Sequence, residues 1–185
     1  MYFSIMSGLP RMDDFIIPEC YLDTNLMETL VTPAKSYNHQ KGCHTVAKVM
    51  QEKFGDSFAL GILDHDKNQV FYLAEFDQID EQHNVILFKH PKKHHYLILH
   101  PPIESWLIKQ AEEKNLALAD YSLPMDLKSL RKITKVAGSK NDHRFKRLFR
   151  DLKNQNADGI CVLEKWTAYL KEHARNTDIN TLQNL

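Results

Sequence analysis

Two acids one residue apart, Asp64 and Asp66, end a short apolar run from Phe58 to Leu63. Carboxylates this close repel, and a hard divalent cation such as Mg²⁺ or Mn²⁺ relieves the repulsion through oxygen ligation. Side chains alternate along an extended chain, so Asp64 and Asp66 point to one side and His65 to the other. A third acid, Glu19, closes a similar apolar centre at Phe15 to Ile17. Phosphodiester cleavage needs a nucleophilic water and charge neutralisation on the phosphate, and carboxylate-held metals supply both. Plainer readings stand beside this one. Asp64 suits the cap of a helix beginning near Asn68, and Asp23 the cap of a helix beginning near Thr24. Glu104 reads either as a ligand for a second metal position or as a first-turn acid that favours its helix dipole.

These residues need elements to position them. Phe58 to Leu63 is nearly continuously apolar, as a strand covered on both faces of a parallel sheet must be. Asp13 to Cys20 reads as an earlier strand, with Pro18 in its last turn because proline cannot donate a ladder hydrogen bond. Leu22, Leu26, Met27, Leu30 and Val31 recur at helical spacing until Pro33. Ser36 to His39 reads as a weak strand, and Val46, Ala47, Val49, Met50 and Phe54 as a second helix that Gly55 ends. This alternation predicts right-handed crossovers building a mainly parallel sheet flanked by helices, with ligands gathering at the carboxyl ends of its strands. Val70 to Phe76 reads as helix. Asn84 to His90 and His94 to Leu99 read as strands, and Ile103 to Lys114 as a helix that Pro102 starts. Residues 117–185 change character into helices over 126–136, 141–154 and 159–173, with the last ten residues frayed. The predicted organisation is an α/β domain over 13–116, a lead-in over 1–12 and a C-terminal helical extension over 117–185.

Glu19 with Asp23 after one strand, Gly42 opening the second helix, and Asp64-x-Asp66 after a later strand together resemble the Toprim fold of topoisomerases and primases. Among such proteins the overcoming-lysogenization-defect nucleases and related stand-alone Toprim-like proteins are the most similar, including an Ile-Glu pair opening a later helix, here Ile103-Glu104. The resemblance covers roughly residues 13 to 115. It implies a divalent metal held by Asp64 and Asp66, with Glu19 as ligand or general acid/base and Glu104 at a second position. The implied activity is that of a nuclease or related phosphoryl-transfer enzyme on nucleic acid. The sequence departs from the family pattern at Cys20, where a glycine is usual, which puts close phosphate approach there in doubt. The competing expectation is a non-catalytic Toprim-like module that binds nucleic acid or a protein partner.

Composition narrows the partners. The 24 basic and 24 acidic residues cancel, so any nucleic-acid surface is local. It is sought between Lys128 and Lys153, where ten Lys and Arg residues stand against Asp142 and Asp151. Arg144, Arg147 and Arg150 are the candidate contacts there, joined by Lys41 and Lys67 beside the acid-bearing segments, with a solvated helical face as the alternative. Cys20, Cys43 and Cys161 are too scattered for a disulfide framework or zinc site, which fits a reducing cytoplasm, and no run is long and apolar enough to enter a membrane. Cys43 reads as a packed thiol. His90, His94, His95 and His100 cluster in sequence, yet on strands their side chains diverge, which argues against zinc.

Overall fold

A computed structural model describes residues 12–65 and 71–185. Among these residues five strands form one sheet: β1 (Ile16–Pro18), β2 (Ala59–Asp64), β3 (Asp77–Gln82), β4 (Val85–Lys89) and β5 (His95–His100). Their order is β1-β2-β5-β4-β3. β1 pairs with β2 and β2 with β5 in parallel, whereas β4 runs antiparallel to both β5 and β3. The chain is therefore α/β, but the sheet is mixed, and the expectation of a mainly parallel sheet is corrected.

The antiparallel half has local causes. His83 and Asn84 both adopt positive φ, at 50° and 63°, between the paired residues Gln82 and Val85. That is the backbone of a two-residue primed turn, which matches strand twist and closes a hairpin. The glycine that usually marks such a turn is missing, and β3 itself (Asp77-Gln78-Ile79-Asp80-Glu81-Gln82) is a largely polar edge strand. Its charges suit an unpaired edge and hide it from a hydrophobic pattern. The parallel half follows the predicted run, with β2 buried along its apolar length and β5 buried throughout.

Seven α-helices complete the described chain: α1 (Tyr21–Leu30), α2 (Cys43–Val49), α3 (Ile103–Glu113), α4 (Leu127–Thr134), α5 (His143–Asn154), α6 (Asp158–Glu172) and α7 (Ile179–Gln183). α2 runs on into a π-helical turn over Met50–Phe54, and Gly55 ends it at φ 57°. Ser36 to His39 does not form a strand. Instead Asn38 N and Gln40 N donate to the carbonyls of Ile16 and Pro18 at 3.1 and 3.0 Å, so this segment lies along the edge of β1. Phe71–Glu75 forms a 3-10 turn in place of the helix expected over 70–76.

The C-terminal helices share the core of the sheet. Phe145, Leu148, Phe149 and Leu152 bury one stripe of α5, which packs on α1, and α4 packs on α3. Two polar ties reinforce this: Asn25 Nδ2 donates to the carbonyls of Ser139 and Asp142 at 2.7 and 3.1 Å. The last residues are not frayed, since α7 buries Leu182 and the Trp166 indole donates to its carbonyl at 3.1 Å.

Candidate metal site

The register of the parallel strands decides what meets at their carboxyl ends. Asp64 closes β2 directly opposite His100, which closes β5. Glu19 follows β1, and its backbone N–H continues the pairing by donating to Ile62 O at 3.0 Å. Three neighbouring strand ends therefore carry a carboxylate, a carboxylate and an imidazole. A fourth group arrives from α1. Cys20 caps that helix, its Sγ accepting from Asp23 N at 3.3 Å, so the helix starts at Tyr21 and Asp23 lies within its first turn. The reading of Asp23 as a cap is thus corrected: its side chain turns inward and is 1% exposed. Cys20 has φ −131° and ψ 171°, extended backbone that any residue adopts, so no strain attends the residue that stands where the Toprim pattern has glycine.

Distances tie these groups together. Glu19 Oε2 accepts from Asp64 N at 3.0 Å, and Asp64 Oδ1 accepts from Ile103 N at 3.1 Å. The His100 ring lies between two carboxylates, with Nε2 3.3 Å from Asp23 Oδ1 and Nδ1 3.4 Å from Asp64 Oδ1. Trp106 stacks on that ring at 5.2 Å and 17°. Asp23, Asp64 and His100 present ligand atoms all within 4.8 Å of one another and can hold a metal ion.

The electrostatics point the same way. Burial, then the charge of Asp23, pushes the Asp64 carboxyl up to about 7, against the pull of His100. Glu19 is raised by burial and by Asp23. Burial opposes the charged form of His100, yet the Asp23 and Asp64 carboxylates outweigh it and lift the imidazole to about 9. In the absence of a metal the two acids thus favour the protonated form of His100 between them. Its charge does not complete the site, because both Asp23 oxygens and His100 Nε2 are buried without an aligned hydrogen-bond partner among the described residues. Orphaned buried acceptors beside a cluster of raised acids fit an additional cation.

Glu19 and Asp64 open onto a cleft of about 640 Å³. Lys41, Arg131 and Lys135 line it with them, as do Glu104 and the Tyr21–His39 pair, whose rings stack at 4.3 Å. Glu104 is 9% exposed and accepts from Thr134 Oγ1 at 2.6 Å, so it ties α3 to α4 as well as facing the cleft. A larger cleft of about 830 Å³ opens elsewhere, past His65 and Trp106. Acids there have local partners, Asp158 with His83 at 3.8 Å and Glu113 with Lys109 at 3.7 Å, and they do not converge.

The structure thus brings Glu19, Asp64, Glu104 and Lys41 to one cleft. Asp66 and Lys67 lie outside the described residues, as does any helix that Asp64 would cap near Asn68. The three arginines of α5 lie elsewhere. Arg144 forms a two-pronged pair with Asp142 and donates to Ser122 O, while Arg147 sits over the Tyr121 ring at 5.4 Å. Arg150 is exposed. The C-terminal basic residues that reach the cleft, beside Lys41, are instead Arg131 of α4 and Lys135, which follows that helix. In the sequence His100 reads as one of four clustered histidines, which hides its place at the end of β5 opposite Asp64. That cluster separates only in part: His95 sits at the opposite end of β5 from His100 but has its ring 6.4 Å from that of His90, and burial and the charges of Lys93 and His90 hold it down at about 4.

None of Cys20, Cys43 and Cys161 is in a disulfide, and no helix among the described residues is long and apolar enough to cross a membrane. No family model, curated protein or solved structure matches this chain.

Proposed function

We propose that this chain is a divalent-metal-dependent phosphoryl-transfer enzyme acting on nucleic acid, most narrowly a nuclease of Toprim-like organisation working in a reducing cytoplasm. The observation that carries the reading is the cleft itself, where Glu19 and Asp64 lie side by side at the carboxyl ends of adjacent parallel strands and Lys41, Arg131 and Lys135 line the same space. Acids alone would repel a phosphodiester; acids with a cation among them, and basic side chains around them, attract it. When bound, Mg²⁺ or Mn²⁺ would neutralise the phosphate and lower the pKa of a water.

The chain's own groups have separable tasks. Lys41, Arg131 and Lys135 bind non-bridging phosphate oxygens and orient the backbone. Asp64 is held toward the cleft by the Ile103 N–H and by His100, and would supply an oxygen ligand to the metal. Glu19, whose raised pKa favours proton uptake, accepts a proton from the water that attacks phosphorus, while the P–O bond to the leaving sugar oxygen breaks and that oxygen takes its proton from solvent.

One observation favours the non-catalytic alternative: Glu19 and Asp64 also serve the fold, each accepting a backbone N–H. Cleavage of labelled single- and double-stranded oligonucleotides, with and without Mn²⁺, separates the two. The proposal expects Mn²⁺-dependent cleavage that Glu19→Gln and Asp64→Asn each abolish while binding persists. Metal-independent binding without cleavage of either substrate would replace the enzyme with a binding module.

A further inference from the structure

The inner half of the cluster has a feature that the cleft acids do not explain. Asp23 is 1% exposed and His100 fully buried, and although Asp23 Oδ1 and His100 Nε2 pair at 3.3 Å, neither Asp23 oxygen nor Nε2 has an aligned hydrogen-bond partner among the described residues. A buried carboxylate short of aligned hydrogen bonds is costly, and the His100 ring beside it offsets that cost without satisfying either oxygen, which a metal ion would do. Its neighbour is oriented as a metal-ligating imidazole is oriented. His100 Nδ1 donates to the carbonyl of Pro101 at 2.9 Å, which turns Nε2 toward Asp23. A backbone carbonyl on one ring nitrogen commonly fixes the other as ligand. The Trp106 indole, stacked on the ring, holds its plane.

The spacing agrees. Two ligand atoms each about 2.0–2.2 Å from one tetrahedral ion lie roughly 3.3–3.6 Å apart. Asp23 Oδ1 and His100 Nε2 are 3.3 Å apart and not aligned for a hydrogen bond, as two ligands aimed at a shared point would be. Asp64 lies against the Nδ1 side of the ring at 3.4 Å, yet one ligand atom each from Asp23, Asp64 and His100 fall within 4.8 Å of one another, and the Asp64 side chain, 29% exposed, gives an ion a way in from the cleft.

We propose that Asp23 and His100, with Asp64 on the cleft side, bind a transition-metal cation of the Zn²⁺, Co²⁺ or Mn²⁺ class in preference to Mg²⁺. Imidazole nitrogen suits these borderline ions, whereas Mg²⁺ demands near-octahedral oxygen ligation and keeps several waters, for which a ligand pair sealed from solvent is a poor match. The inference deepens the proposed function by naming the class of cation at that site, and metal binding alone tests it.

The test uses the full chain freed of metal by chelator. Calorimetric titration should show one Zn²⁺ per chain, bound at least about 100-fold more tightly than Mg²⁺. Asp23→Asn and His100→Gln should each weaken Zn²⁺ binding by about 10-fold or more. X-ray absorption at the zinc edge of the wild-type protein should show an oxygen/nitrogen shell at about 2.0–2.1 Å with imidazole scattering. That measurement decides alone if a variant fails to fold. Equal affinity for Zn²⁺ and Mg²⁺, a zinc spectrum without imidazole, or a folded His100→Gln with undiminished affinity would overturn the inference. Mg²⁺-dependent cleavage alongside any of those results would leave the proposed function standing. Zinc held through imidazole with no cleavage under any metal would do the reverse.

Discussion

Replacing Asp64 with Asn should stabilise the metal-free protein at high pH. Asp64 has a folded-state pKa of about 7 against an ordinary value of 3.8, so folding favours its protonated form. The linkage sign follows: its contribution to stability is complete below about pH 4 and is lost as pH rises toward 7. A displacement of about three pH units corresponds to roughly 4 kcal/mol at most. Part is returned in the variant, because the His100 imidazolium loses one of the two carboxylates that lift its own pKa. The Ile103 N–H at 3.1 Å keeps an acceptor, since the amide oxygen of Asn can take it. A net gain of roughly 2 kcal/mol is expected near pH 8, or a melting temperature higher by about 4–8 °C in a chain of this size. Thermal melts of wild type and Asp64→Asn in chelator, at about pH 4 and about pH 8, should show the gain at the higher pH only. Saturating Mn²⁺ should then stabilise the wild type far more than the variant. A variant less stable than wild type at pH 8, or a shift of equal size at both pH values, would refute the reasoning and make Asp64 an ordinary structural carboxylate.

Other perturbations reach the site from a distance. A Cβ on Gly159 would lie 2.9 Å from Trp106 Cζ2, so Gly159→Ala must displace the indole that stacks on His100. It should cost about 1–3 kcal/mol by denaturant melt and also weaken metal affinity, which substitution at an exposed α6 position should leave unchanged. Arg131→Ala with Lys135→Ala should lower the slope of log affinity against log salt by about two for oligonucleotide binding, while Arg144→Ala, already engaged by Asp142, should lower it by much less. Thr134→Val removes the hydroxyl that Glu104 accepts at 2.6 Å and leaves a nearly buried carboxylate short of a donor, for an expected loss of about 1–3 kcal/mol in equilibrium unfolding.

Much of the site was legible before the fold was known, and the limits of that legibility have physical causes. The apolar run into Asp64 was readable because a strand buried on both faces leaves an unbroken hydrophobic signature, and Glu19 shared its logic. Their adjacency depended on β1 pairing with β2, which local pattern suggests through the crossover and does not fix. His100 could have been found by the same rule, since it also ends an apolar strand, His95-Tyr96-Leu97-Ile98-Leu99-His100. Its partnership with Asp64 is a matter of inter-strand register, which no local spacing encodes. Asp23 was placed one turn too early because Cys is a weak capping residue and Asp a strong one, so propensity favoured the wrong cap. The mixed sheet was missed for a related reason: a His-Asn primed turn and an acidic edge strand carry neither the glycine nor the hydrophobic alternation that announce a hairpin.

The claim that this cluster is a cation site is tested most directly by anomalous diffraction from a crystal of the full chain grown with Mn²⁺. A single strong manganese peak within about 2.5 Å of an Asp64 oxygen, with Asp23, His100 or Glu19 completing its shell, is the predicted result. An empty cluster beside manganese bound elsewhere, or no peak at millimolar Mn²⁺, would contradict it and leave His100 as the internal counter-ion of two structural acids.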